Sequence, residues 1–168
     1  MRYVVLAMLI VLGCGNLAAV QAGVESERES FRGLPGVAVV IEGLDPAASG
    51  DGLSEDEIRT AVELILRSSG IRILSQTERT RFPAGPYLYV AVNTFKNKLG
   101  FYAYSASSQL SQVVELLSPG WKKQVYAVTW SRTMVGTVGQ DKLRMIISVA
   151  IEPLVKEFAN DFLTVNPR

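Results

Sequence analysis

The chain has 168 residues, 48% of them hydrophobic and 20% charged, with 17 basic against 16 acidic side chains and no histidine. This size and mixture fit one domain that can bury a core without disulfides, and the balanced charge argues against a nucleic-acid footprint, which needs clustered positive side chains. The missing histidine removes the commonest general acid–base group and metal ligand, and the single cysteine, Cys14, excludes an internal disulfide, a cysteine metal cluster and a redox pair.

Met1-Arg2 supplies a short positive start, and Tyr3 to Leu12 an apolar run of about ten residues. That is the length of a secretory signal core and too short to span a bilayer. Two cleavage sites follow. Val20-Gln21-Ala22 before Gly23 has small residues at both required positions, and a cut there removes residues 1–22 as a signal peptide. Leu12-Gly13-Cys14 resembles a bacterial lipobox, and a cut there removes residues 1–13 and leaves Cys14 for lipidation. Either cut exports the chain. It is then periplasmic or extracellular, or else anchored to a bacterial membrane by lipid alone. After residue 36 no apolar run approaches the roughly 20 residues of a transmembrane helix.

Residues 23–36, polar, charged and ending in Pro35-Gly36, read as a flexible lead-in to a single domain over 37–168. "VAVVIE" (37–42) reads as a covered strand. After a Gly/Pro/Asp loop, Ser54 and Glu57 form a capping-box pattern, Ile58, Ala61, Val62 and Ile65 recur at helical spacing, and Gly70 sits where a helix stops. A helix is expected over about 55–69, then a short strand at "IRIL" (71–74). "YLYVAVNTF" (87–95) alternates, with Leu88, Val90 and Val92 on one side and Tyr87, Tyr89 and Phe95 on the other. A long strand from Phe101 toward Leu117 is expected to bend at Ser105 to Ser108. "QVYAVTWSR" (124–132) is a further strand, ended by "GTVG". From Gln140 to Leu163 the spacing is helical, with Pro153 set to kink or divide it. The order β-α-β-β-β-β-α predicts an α+β fold, a two-layer sandwich of a mainly antiparallel sheet with two helices on one face.

No nucleotide-binding glycine motif, nucleophile elbow or Ser-x-x-Lys occurs. Asp51, Glu55, Asp56 and Glu57 cluster at a helix start, where the helix dipole accounts for them. Lys96/Lys98 and Lys122/Lys123 read as solvated turn lysines. No catalytic residue, metal site or cofactor is called for. The feature with binding chemistry is aromatic. Tyr87, Tyr89 and Phe95 should face away from the helices, and Tyr102, Tyr104 and Trp130 are assigned to the same outer face. A tyrosine-rich open sheet can take a partner, although cross-strand aromatic pairing alone also explains such residues.

A leader with a lipobox-like cysteine, then β-α, a meander and a C-terminal helix, is similar in element order to the LPS-assembly lipoprotein family of Gram-negative outer membranes. It also resembles other small bacterial envelope proteins. The first resemblance implies a non-enzymatic envelope role beside a β-barrel. It carries no motif and no functional residue, since the stretch after Cys14 reads "GNLAAVQAG". The expectation is a non-catalytic exported envelope protein that binds another envelope protein and no nucleic acid. The alternatives are a periplasmic small-ligand or lipid binder, and a hydrolase without a recognisable motif.

Overall fold

The computed structural model describes residue 23 and residues 25–167. The apolar leader run, both cleavage sites, Cys14, Val24 and Arg168 lie outside the described residues.

Four strands make one sheet in the order β1-β2-β3-β4: β1 (Ala38–Ile41), β2 (Tyr87–Lys96), β3 (Phe101–Ser118) and β4 (Trp121–Gly139). β1 runs parallel to β2, and the remaining neighbours are antiparallel. A parallel pair needs a long crossover. Three helices supply it: α1 (Pro46–Gly50), α2 (Glu55–Ser68) and α3 (Gln76–Arg81). After β4 come a 3-10 turn (Gln140–Lys142), a π turn (Ile147–Ile151) and α4 (Glu152–Val165). The fold is the expected α+β class with a mainly antiparallel sheet. α2 packs on β1 and on α4, and α4 packs on β3 and β4. The core lies between the layers, where Leu88, Val90, Leu110 and Trp130 meet Ile58, Val62, Leu66, Leu154 and Phe158.

The helices form for the reasons their spacing suggests. Ile58, Val62 and Leu66 fall on one stripe of α2 and are buried. Gly70 takes the positive φ of +68° that ends such a helix. Ser54 caps α2, its Oγ accepting from the Glu57 amide at 3.5 Å. The Glu57 carboxylate does not return to Ser54; it accepts from Arg144 instead. A complete capping box forms at Ser75 and Glu78, which start α3. Pro153 is the second residue of α4, directly after the π turn, so the chain stays helical through the proline with its ladder widened just ahead of it.

Five expectations are corrected. Ile71 to Leu74 makes a single bridge, Ile73 to Val37, because Ile71 and Leu74 bury themselves in the core rather than extend a ladder. Residues 25–29 are helical, and the polar stretch expected as a flexible lead-in packs on the domain from Arg28 onward. Phe31 is fully buried, edge-on to Trp130, Phe158 and Phe162 at 6.0, 5.2 and 6.0 Å. One large apolar side chain in a polar stretch is enough to hold that stretch down. The irregularity in the long hairpin lies at Leu110/Ser111, opposite the extra residue Thr129 on β4, and not at Ser105 to Ser108. β4 starts at Trp121 and runs through "GTVG". Gly136 does not break it; a Cβ there would lie 2.6 Å from Tyr104 Oη, so the glycine makes room for the ring on the facing strand. Nor do the six aromatic side chains all lie on one face of the sheet.

Candidate binding face

The register places the six aromatic residues. Leu88 faces Leu110, Val90 faces Ser108 and Val92 faces Ala106, and Leu110 in turn faces Trp130. Cross-strand partners share a face, and faces alternate along a strand. Tyr102, Tyr104 and Trp130 therefore point to the helices with the aliphatic set. Tyr102 and Trp130 are buried, and Tyr104 packs against the core. Contrary to the expectation from sequence, they do not share the outer face with Tyr87, Tyr89 and Phe95. The reason is register: Tyr102 lies opposite Lys96, an even position of β2, and even positions of β2 face inward.

The outer face is built in cross-strand rows. Phe95, Ala103 and Thr137 form one; Asn93, Ser105 and Val135 the next; then Ala91, Ser107 and Thr133; Tyr89, Gln109 and Ser131; and Tyr87, Ser111 and Val128. None of these fifteen side chains is charged. Hydroxyl and amide groups alternate with exposed apolar groups. Phe95 is 73% exposed, Val135 74%, Phe101 52% and Val128 51%. At the opposite end the tyrosines are engaged within the chain. The Arg79 guanidinium from α3 lies 4.9 Å over the Tyr87 ring, and Tyr126 lies 5.9 Å from Tyr87. Burial and the Glu42 carboxylate raise the Tyr89 pKa. Val128 and Tyr126 stay half exposed at that end, but the most exposed large apolar groups of the face, Phe95 and Val135, lie at the other.

Two polar networks were missed in the sequence. Asp51, read as a helix-dipole charge, reaches the far end of the sheet. Its Oδ2 accepts from Tyr102 Oη at 2.5 Å and Lys96 Nζ at 2.6 Å, and its Oδ1 accepts from Gln140 Nε2 at 2.9 Å. The lysine and the tyrosine hydroxyl hold the Asp51 pKa down. Burial, and then the carboxylate, push the Tyr102 hydroxyl up to about 12. Lys96 is thereby a network member, not a solvated turn lysine.

The second network is centred on Asp161 of α4, which is 3% exposed. Its Oδ1 accepts from Arg28 Nε at 2.6 Å, and its Oδ2 accepts from Trp130 Nε1 at 2.9 Å. Arg132 lies 3.7 Å from the same carboxylate and bonds Glu27 at 2.7 Å and Glu157 at 2.5 Å. Burial works against the Arg132 charge, but the bonds to Glu27 and Glu157 prevail and raise its pKa. The signal was available: Asp161 interrupts the apolar face that Leu154, Phe158 and Phe162 define. Both networks tie elements together.

The concave features are shallow. A groove of about 440 Å³ runs between α2 and the π turn, lined by Asp56, Glu57, Thr60, Ala61, Arg144 and Ile147, and the Glu57–Arg144 pair bridges it. Another, of about 410 Å³, lies at the end of the sheet beside Leu99, Phe101, Gln140 and Asp141, and one of about 370 Å³ lies beside the glycine-rich loop at Ser49, Leu53 and Ser54. Among the described residues no three acidic or cysteine side chains are placed to hold a metal ion, and no helix is long and apolar enough to cross a membrane.

The fold and face define a two-layer α+β module with one sheet face left open. No family model, curated protein or solved structure matches the chain.

Proposed function

We propose that this is a non-catalytic protein of the bacterial envelope that works by binding a protein partner through the open face of its sheet. The leader pattern supports export, either as a released protein or through a lipid on Cys14. The observation that carries the binding role is the set of uncharged rows across β2, β3 and β4, with Phe95, Phe101 and Val135 exposed at the end away from Arg79 and Glu42. Protein interfaces combine such apolar anchors with neutral hydrogen-bonding groups and lack charge at their centre. The rows spread their exposed groups across three strands, an extended surface that suits a protein partner better than a small ligand, whose sites enclose it.

A photo-crosslinking residue placed singly at Phe95, at Val135 and at Leu64 tests this in intact cells. Leu64 is 65% exposed on α2, away from the face, and serves as the control. One discrete adduct from both face positions, absent from Leu64 and abolished by Phe101→Asp, is expected. Equal labelling from all three positions, or none, would end the proposal.

A further inference from the structure

The β3–β4 hairpin outruns the rest of the sheet. β2 begins at Tyr87, opposite Ser111, so the chain from Val114 to Val125 pairs only with itself. The last contact at its root is the Val113 amide with the Ala84 carbonyl at 2.7 Å. Beyond it five cross-strand pairs reach from Val114/Val125 to Ser118/Trp121, an arm of about 16 Å at roughly 3.3 Å per pair. Residues 115–124 are all exposed.

The arm's composition is not that of a solvated turn. Leu116 is 44% exposed, Leu117 69% and Trp121 49%. Leu116, Trp121 and Lys123 lie on one face of the ribbon, Leu117 and Lys122 on the other. Each face therefore carries a large apolar group near the tip and a lysine beside it. A protein groove or a second sheet would cover one face and favour apolar groups there alone. Apolar groups on both faces of a narrow projection suit immersion in an apolar medium. Tryptophan favours the bilayer interface, and lysine can keep its charge among headgroups while its stem lies in apolar surroundings. The one acid on the arm, Glu115, meets Lys122 at 3.5 Å between exposed side chains, a weak pair. Lys123 has no ion-pair partner among the described residues, so the arm is net positive.

We propose that the tip of this hairpin is a membrane-surface contact, which inserts Leu116, Leu117 and Trp121 into the interface of a bilayer carrying anionic headgroups. The lysines then sit at phosphate level on both sides of the ribbon. The contact needs no N-terminal lipid and stands apart from the outer sheet face.

The protein holds two tryptophans. Trp130 is buried in the core and Trp121 is exposed, so vesicle-induced changes in tryptophan emission report the tip. The purified full chain is mixed with phosphatidylcholine vesicles, with and without phosphatidylglycerol, containing lipids brominated on the acyl chains. The expected result is a blue shift and bromine quenching, stronger with phosphatidylglycerol. Leu116→Ser with Leu117→Ser should abolish the quenching and leave the circular dichroism unchanged, since both side chains are exposed. Lys122→Gln and Lys123→Gln should each weaken binding to the anionic vesicles by about fivefold. Chain that sediments with vesicles while Trp121 stays unquenched would place the contact elsewhere, in the leader or the sheet face, and overturn the proposal. So would quenching that survives in the double serine variant, or a blue shift that depends on protein concentration alone and marks tip-to-tip association.

Discussion

One carboxylate on α4 joins three parts of the chain: Asp161 accepts from Trp130 on β4 at 2.9 Å and from Arg28 of the N-terminal segment at 2.6 Å. Phe31, three residues beyond Arg28, then drops into the aromatic cluster beneath. The segment ahead of β1 is therefore held by charge at one point and by burial at the next. If Cys14 carries a lipid, fewer residues remain as tether than the sequence suggests.

Removing the carboxylate should loosen that joint. Asp161→Ala leaves the Trp130 N–H without a partner in the core and deprives Arg28 of its acceptor. Arg28 is partly exposed and can recover water, so the cost should be about 2–4 kcal/mol and not the full penalty of a stranded buried charge. A urea titration followed by Trp130 emission measures it. An unchanged midpoint would mean that the aromatic cluster alone holds the segment.

The Asp51–Tyr102 pair should show itself in alkali. The folded Tyr102 pKa, about 12, lies above its ordinary value of 10. Its stabilisation is complete below pH 10 and is lost as pH rises from 10 through 12. Tyr102→Phe should cost about 1–2 kcal/mol at pH 8 and lose less stability than the parent across the alkaline window. Asp51 has the opposite sign. Its pKa is held below 3.8, so its contribution is present above that value and lost as the pH falls through the folded value. Asp51→Asn should flatten the acid limb. Parallel curves for variants and parent would remove the network from the stability of the fold.

Gly136 should tolerate no side chain while Tyr104 is present. A Cβ there meets the Tyr104 ring carbons at 2.8 and 2.9 Å, and overpacking of this kind costs about 1–3 kcal/mol. Tyr104→Leu in the same chain should relieve most of it, giving a non-additive double-mutant cycle. Additive losses would show that Gly136 is needed for backbone reasons instead.

The two faces of β2 should respond differently. Leu88→Ala empties a fully buried site and should cost about 2–5 kcal/mol. Phe95→Ala, on the exposed end of the outer face, should stay within about 0.5 kcal/mol. Tyr87→Ala should fall between, since it removes the ring beneath Arg79. Thermal melts of the three variants rank them. Tyr87 or Phe95 proving costlier than Leu88 would reverse the faces.

Local pattern settled much of this protein. The stripe on α2, the cap at Ser54, the stop at Gly70 and the alternation of Leu88, Val90 and Val92 each involve neighbours within a turn or two, so chain order alone reveals them. The outward set on β2 was legible for the same reason. The inward turn of Tyr102, Tyr104 and Trp130 was not, because which side a strand residue faces depends on its partner across the ladder. One extra residue, Thr129, resets that relation for the rest of β4. The anchoring of the N-terminal segment was hidden for a related cause: Arg28 and Asp161 are 133 residues apart. Each is an ordinary charge in its own neighbourhood, and only the packing of α4 over the sheet puts the acid where water cannot reach it and a cation must.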